Sequence, residues 1–155
     1  MNGILIEKAR IADAEAMLQC VRRAYRHYID RIGKEPGPML DDYSARAQQD
    51  ETYVIRHDSR VTGVLVMVPG DSGILLDNVA VDPDWSGKGL GRELVSFAEN
   101  RARELGYDEI ELYTHERMTE NIEMYLKWGY REVRRPREKG YDRVYMAKAL
   151  AEPDA

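Results

Sequence analysis

The stretch DPDWSGKGLGRE, residues 82–93, holds residue types suited to two opposite kinds of chemistry. Asp82, Asp84, Ser86, Gly87 and Glu93 fall at positions 1, 3, 5, 6 and 12 of a calcium loop, where carboxylates gather around a cation. Gly87, Gly89 and Gly91 stand just before an apolar-periodic run, where the N–H groups of a helix start gather around an anion. The flanks separate the two readings. A calcium loop needs a helix on both sides. The preceding ILLDNVAV (74–81) is apolar and partly β-branched, with Pro83 close behind, which predicts a strand. Position 5 is Ser, and position 9 is Leu90, which has no ligand atom.

Strand, glycine loop and helix together make the context of a phosphate cradle. Glycines let the backbone approach an anion and adopt positive φ. The helix start adds roughly half a positive charge, and Lys88 and Arg92 add formal charge. Neither familiar nucleotide loop fits. Gly87-Lys88 is followed by Gly89 and not by Ser or Thr, and the three glycines give G-x-G-x-G rather than G-x-G-x-x-G. A plain strand-to-helix turn is the third reading. Asp77 lies inside ILLDNVAV, four residues before Val81. A carboxylate in an apolar strand is costly unless it faces a cleft or finds partners. It is therefore either a base or a hydrogen-bonded structural aspartate beside Asn78, and both readings stay open. His27, His57 and His115 have no metal-ligand spacing, and no metal is expected. No G-x-S-x-G is present.

The elements that must position these residues follow from periodicity. GILIEKA (3–9) predicts a first strand. Asp13 opens a helix to Ile29, with Met17, Val21, Ala24, Tyr25 and Tyr28 on one face. GKEPGPML (33–40) breaks it, and a polar helix follows over 41–49. Thr52–His57 and Val61–Val68 form a hairpin turned at Asp58–Ser59, with Ile74–Val81 as a third, central strand. Leu90, Leu94, Val95, Ala98, Ala102 and Leu105 mark the inner face of the next helix, which Gly106 ends. Glu109–Tyr113 is a strand, and Thr119–Trp128 a short helix stopped by Gly129. Tyr130–Arg135 and Asp142–Lys148 close the chain as a hairpin turned at Lys139–Gly140. The strands at 74–81 and 109–113 are joined through a helix and should be parallel. The expected fold is a mixed α/β sheet, largely antiparallel, in one domain over 1–155, with AEPDA (151–155) as a frayed end.

Composition agrees with that frame. The chain has 155 residues, 33% of them charged, with a net charge of −5, a balance against general nucleic-acid binding. It shows no apolar run of membrane length and no signal-peptide pattern at MNGILIEKAR. The single Cys20 allows no internal disulfide and suits a reducing cytoplasm. It lies near the apolar face of the first helix, as a packed thiol would.

The run NVAVDPDWSGKGLGRELV resembles the acyl-CoA loop of the GNAT superfamily of N-acetyltransferases, whose hallmark is Arg/Gln-x-x-Gly-x-Gly/Ala after a strand. Gly89 and Gly91 match the two small positions, while Ser86 stands where the family usually has Arg or Gln. TENIEMYLKWGYREV (119–133) resembles the family's Asn-x-x-x-Tyr-x-x-x-Gly-Phe/Tyr segment, with Asn121, Tyr125, Gly129 and Tyr130 in place. The resemblance spans nearly the whole chain. It implies a GNAT-like fold with about four helices and a splayed parallel pair of strands. It also implies transfer of the acetyl group of acetyl-CoA to a primary amine of a small molecule or of a protein, and a homodimer as one assembly.

The resemblance implies further that Ser86, Gly87, Lys88, Gly89, Leu90, Gly91 and Arg92 hold the pyrophosphate. Val79, Ala80 and Val81 pair with the pantetheine, Val79 N–H or a neighbour meets the oxyanion, and Asn121 touches the cofactor or holds its helix start. Tyr125 becomes the general acid, since a phenol with pKa near 10 can protonate a thiolate near 8.5; its ordinary alternative is core packing beside Ile122 and Leu126. Asp77 becomes the base, directly or through water. The acceptor side would draw on Tyr25, Tyr28, Arg31, Tyr113 and His115 with the 33–40 loop. The hairpin REVRRPREKGYDR is locally basic, either to meet an anionic substrate group or as a solvated edge. Two other function classes fit parts of the sequence, namely a non-catalytic acyl-CoA-binding module and the calcium-loop protein.

Overall fold

The computed structural model describes residues 4–49 and 51–150. The tail 151–155 and Gly3 of the expected first strand lie outside them. The strands are β1 (Ile6–Lys8), β2 (Glu51–His57), β3 (Arg60–Pro69), β4 (Ile74–Val81), β5 (Glu109–His115), β6 (Arg131–Arg134), β7 (Arg137–Glu138) and β8 (Tyr141–Ala149). The helices are α1 (Ala14–Tyr25), the single turn α2 (Ile29–Ile32), α3 (Tyr43–Gln49), α4 (Leu90–Glu104) and α5 (Thr119–Lys127). The sheet order is β1-β2-β3-β4-β5-β8-β6, with β7 also on β8. Every pair is antiparallel except β4–β5, which is parallel as expected from its helical crossover.

Each face of the sheet carries a helical layer because the strands are apolar on both faces. On one side Leu94, Val95, Ala98 and Ala102 of α4 pack on Leu65, Met67, Ile110, Leu112 and Met146. On the other, Met17, Cys20 and Val21 of α1 pack on Val54, Val64, Val66 and Ala80. Leu94 is fully buried, and its truncation to Ala should cost about 2–5 kcal/mol. Leu105 departs from the expected inner face and is 39% exposed, because α4 stops at Glu104 and Gly106 (φ +92°) turns the chain away.

Three other expectations are corrected. The first helix is not continuous to Ile29. It becomes a 3-10 turn at Arg26–Tyr28 and resumes as α2, ending at Gly33 with φ +90°. Asp13 does not cap α1 through its side chain. Its carboxylate turns back to Arg10 N–H at 2.7 Å and to the guanidinium of Arg56 on β2. The closing hairpin is split by Pro136, which has no N–H for a ladder, so β6 and β7 pair with β8 separately. Its turn does fall at Lys139 and Gly140, both with positive φ.

The feature that sets up the site is a bulge in β4. Asn78 pairs with Val66 and Leu76 with Met67, so Asp77 has no partner on β3. Strand alternation would place Ile74, Leu76, Asn78 and Ala80 on one face. Instead Ile74 and Leu76 join the α4 layer, Ala80 joins the α1 layer, and Val79 and Val81 pack toward α4. The extra residue reverses the alternation. It leaves Asp77 and Asn78 on the same α1–α3 side, where Arg46 and Tyr43 meet them.

Candidate active site

The parallel pair is bonded only at its start. Ile74, Leu75 and Leu76 lie opposite Ile110, Glu111 and Leu112. Beyond Leu76, β4 keeps only β3, and Tyr113–His115 of β5 keep only β8. Between the parted strands opens a cleft of about 320 Å³, whose lining includes Asp77, Val79, Val81, Asn121, Met124 and Tyr125. Asp82 N–H donates to Thr62 O on β3 at 2.9 Å. Alternation then turns the N–H and C=O of Val81 and Val79 to the open edge, and those of Ala80 to β3. The Val79 carbonyl is accordingly met by a side chain, the Tyr25 hydroxyl at 3.2 Å, and not by a strand.

The loop that follows is held from its first residue. Asp82 is buried and accepts from Asp84 N–H (2.9 Å), Arg23 (3.2 Å) and Arg60 (2.7 Å), which pins the 3-10 turn Pro83–Trp85. Burial alone would raise its pKa, but these donors hold the carboxyl below the usual range. Two of the three carboxylates of the calcium reading, Asp82 and Asp84, are thus engaged by arginines, and a strand precedes them. Trp85 stacks on His57 with ring centroids 3.8 Å apart.

Gly87 and Gly89 have φ of +77° and +85°, and a Cβ at either would meet nothing within 4 Å. Their glycine requirement is conformational, and the space above them is open. Gly89 directly precedes α4, so the first-turn N–H groups of Leu90, Gly91 and Arg92 have no intrahelical acceptor. None of them bonds elsewhere among the described residues. The Leu90 side chain is buried in the core and anchors this end of the helix, while Gly91 lies against Val81. Ser86 lines the cleft, but its hydroxyl donates to Pro83 O at 2.9 Å. Lys88 and Arg92 are exposed beside Trp85 and Trp128, respectively.

Tyr125 is buried between Trp128 and Tyr130, with edge contacts to both rings. Its hydroxyl makes no hydrogen bond among the described residues, yet none of their side-chain oxygens is both fully buried and unpaired. The hydroxyl therefore opens on the cleft. Burial pushes its pKa above the ordinary phenol value, so it stays protonated as a donor. Asn121, one turn earlier, reaches Thr114 Oγ1 at 3.5 Å and Met118 Sδ at 3.6 Å.

Asp77 accepts from the Tyr113 hydroxyl at 3.1 Å and from Arg46 Nη2 at 3.4 Å. Burial raises its pKa above the ordinary carboxylate value, although Arg46 and Tyr113 pull the other way. A carboxylate with a raised pKa is a better proton acceptor. Asp77 and Tyr113 line the cleft and also two hollows on the far side, of about 50 and 400 Å³. Asp77 is therefore where a ligand entering from one side would meet a ligand entering from the other.

The remaining acceptor candidates divide. Tyr113, Tyr25 and His115 line these spaces. Burial lowers the pKa of His115, and its Nδ1 accepts from Arg117 N–H at 3.1 Å. The 33–40 loop contributes Pro36, Gly37 and Pro38. Tyr28 and Arg31 are not among the residues lining these spaces. Tyr28 is buried against His27, and Arg31 binds Glu120 and the Arg117 carbonyl, tying α2 to α5. The sequence reading missed Arg46 and Tyr43, and held Arg143 only as one cation of the basic hairpin REVRRPREKGYDR. Tyr43 closes the chain Tyr25–Asn78–Tyr43–Pro38 O, which fixes α1, β4 and α3 together. No local pattern marks Arg46 or Tyr43, which matter through the bulge, and nothing in the hairpin's charge run separates Arg143 from its neighbours.

An open strand edge followed by a glycine-rich helix start and a cleft-facing phenol is the arrangement that the resemblance to acyl-CoA-dependent acyltransferases implies. Residues 14–130 match the Acetyltransferase (GNAT) family, and the chain belongs to that family. It is 30% identical over 151 residues to the S-(2-succino)cysteine N-acetyltransferase of Bacillus subtilis (strain 168), covering 89% of this chain and 91% of that protein. Its fold is similar to that of the PaiA N-acetyltransferase of Thermoplasma acidophilum in complex with coenzyme A (TM-score 0.75, 20% identity, 96% of this chain and 99% of that one). It is also similar to that of the ribosomal-protein-S18-alanine N-acetyltransferase of Escherichia coli (TM-score 0.78, 18% identity, 98% and 97%). The protein is an N-acetyltransferase that uses acetyl-CoA, and no helix among the described residues is long and apolar enough to cross a membrane.

Proposed function

We propose that the chain acetylates the primary amine of a small molecule by direct attack within the β4–β5 cleft, in the cytoplasm. Acetyl-CoA, when bound, supplies the acetyl group as a thioester. The residues that fit it are the open N–H and C=O edge of Val79 and Val81, the free first-turn amides after Gly89, and Lys88 and Arg92. Asp77 takes the proton that makes the acceptor amine nucleophilic, directly or through a water. Val79 N–H, on the open edge, is placed to stabilise negative charge at the carbonyl oxygen. Tyr125 gives a proton or hydrogen bond to the departing sulfur, which its raised pKa permits.

A single observation carries this reading. Asp77 and the unpartnered Tyr125 hydroxyl share one cleft, at the point where two parallel strands separate. The Bacillus relative is named for a small-molecule amine acceptor, which supports the choice over a protein acceptor. A non-catalytic module would need neither a raised-pKa carboxylate nor a free phenol in the same space.

The test has two stages. Thermal unfolding is followed with acetyl-CoA and, in parallel, with calcium. A ligand at ~100 times its dissociation constant adds roughly 2.7 kcal/mol. Coenzyme A release is then measured across a panel of amines. Stabilisation by acetyl-CoA with turnover of a small amine is expected. Binding without turnover on any amine would favour the non-catalytic module, and stabilisation by calcium alone would defeat both readings.

A further inference from the structure

Resting on the acetyl-transfer reading above, we propose that the acceptor carries a carboxylate, and that Arg143 is the residue that binds it.

The arginine-rich hairpin divides sharply when each side chain is followed. Arg131, Arg134, Arg135 and Arg137 are paired to Glu109, Glu111, Glu132 and Asp142 along the exposed edge. Arg143, on β8, turns inward and is only 13% exposed. Its guanidinium lies over the Tyr113 ring, 4.2 Å from the centroid, and the hydroxyl of that ring bonds Asp77. The cation and the proposed base thus sit at two positions on one phenol. Both line the same two hollows on the acceptor side, the larger about 400 Å³. An amine directed to Asp77 and an anion directed to Arg143 can therefore belong to one small molecule.

Arg143 is not saturated. Nη1 donates to Glu138 at 3.2 Å, and the Tyr145 hydroxyl shares that carboxylate at 2.7 Å. Nη2 points the other way, toward Gly37, where a Cβ would lie 3.8 Å from it. Nη2 makes no hydrogen bond among the described residues, and no polar side-chain atom is both fully buried and unpaired. Its donors therefore open on the hollow. A guanidinium largely withdrawn from water with donors facing a cavity is a site for a planar anion. The neighbouring Arg46 is already held between Asp41 at 2.8 Å and Asp77 at 3.4 Å. Arg143 is the inward cation left to select a substrate.

The test compares S-carboxymethylcysteine, its diamide and putrescine as acceptors, reading kcat/KM by coenzyme A release. Amidation lowers the pKa of the neighbouring amine, so more of it is neutral. A preference for the diacid therefore cannot come from amine reactivity. The wild type should favour the diacid over the diamide by roughly 10- to 100-fold, the worth of a charge-assisted contact. That ratio should fall toward one in R143Q and to an intermediate value in R143K, which keeps the charge but loses the fork. Retained stabilisation by acetyl-CoA shows that each variant is folded. Should R143Q not fold, the wild-type ratio and R143K decide. A wild-type ratio near one, faster turnover of putrescine, or a ratio unchanged in the variants would overturn the inference alone. Release of no coenzyme A with any of the three acceptors would instead overturn the acetyl-transfer reading beneath it.

Discussion

The Tyr113 hydroxyl donates to Asp77 across 3.1 Å, from a strand that has parted from β4 to the one residue of β4 with no partner on β3. The bulge and the splay thus coincide on Asp77. The bulge puts Asn78 on the same α1–α3 side as Asp77, and the splay leaves the backbone edge beyond them open. Burial leaves the carboxyl with a raised pKa, so its charge costs stability at neutral pH. A group with a folded pKa above its unfolded one contributes stability below the unfolded value, near 3.8, and loses it as pH rises through the folded one.

Asp77→Asn should therefore separate activity from stability. It keeps an acceptor for Tyr113 and removes the buried charge. Turnover should fall by ~10²-fold or more, the usual worth of a general base. Tm should hold or rise, since 1 kcal/mol moves Tm by about 2–4 °C at this size. In the wild type, kcat/KM should decline as pH drops through the raised Asp77 value, and that limb should be absent in the variant. A variant with normal turnover would remove Asp77 from the base role.

Tyr125→Phe removes a hydroxyl that makes no hydrogen bond among the described residues. The ring keeps its contacts with Trp128 and Tyr130, so the fold should be retained. If the hydroxyl acts on the leaving sulfur, kcat falls by roughly 10²-fold while acetyl-CoA affinity changes little. Equal losses in binding and turnover would make it a cofactor contact instead.

Gly89 tests the loop. Its φ of +85° disfavours any side chain, and Gly89→Ala should cost about 1–2 kcal/mol by that strain alone. Gly89→Trp adds bulk to the open space where the anion is proposed to sit. It should abolish the acetyl-CoA shift in a thermal melt, whereas Gly89→Ala should only weaken it. A normal shift with Trp at 89 would move the phosphates elsewhere.

Much of this was legible because it is local. Strand, glycine loop and helix at 74–105 follow from periodicity, and so does the parallel β4–β5 pair. The glycines that punctuate helices, Gly33, Gly106 and Gly129, all take positive φ as their positions suggest. What was illegible arises from register. No pattern in ILLDNVAV announces that Asp77 is an extra residue, yet that slip decides which side chains share a face. Arg31 and Arg143 look alike in sequence. Packing gives one to Glu120 on the surface and the other to the ring of Tyr113.

The acid limit of stability should be set by the support of the glycine loop itself. Asp82 is buried on Arg23, Arg60 and the Asp84 N–H, and its pKa lies below the ordinary 3.8 despite burial. Asp13, bonded to Arg56 and the Arg10 N–H, is lowered in the same way. For both, the folded state binds the proton less tightly than the unfolded one. Their contribution is present above about pH 4 and is lost as pH falls through the depressed values. Asp82→Asn keeps the shape but not the charge, so it should lose about 1.5–3 kcal/mol at pH 7, the range for hydrogen bonds to charged groups. It should also flatten the acid limb of the Tm–pH curve relative to wild type. Because Asp82 opens the turn that carries Ser86 to Gly89, the same variant should weaken acetyl-CoA binding at neutral pH. Unfolding curves of the two proteins that run parallel from pH 7 to 3 would show that Asp82 carries no linked charge. Unchanged cofactor affinity would separate this cluster from the loop it abuts.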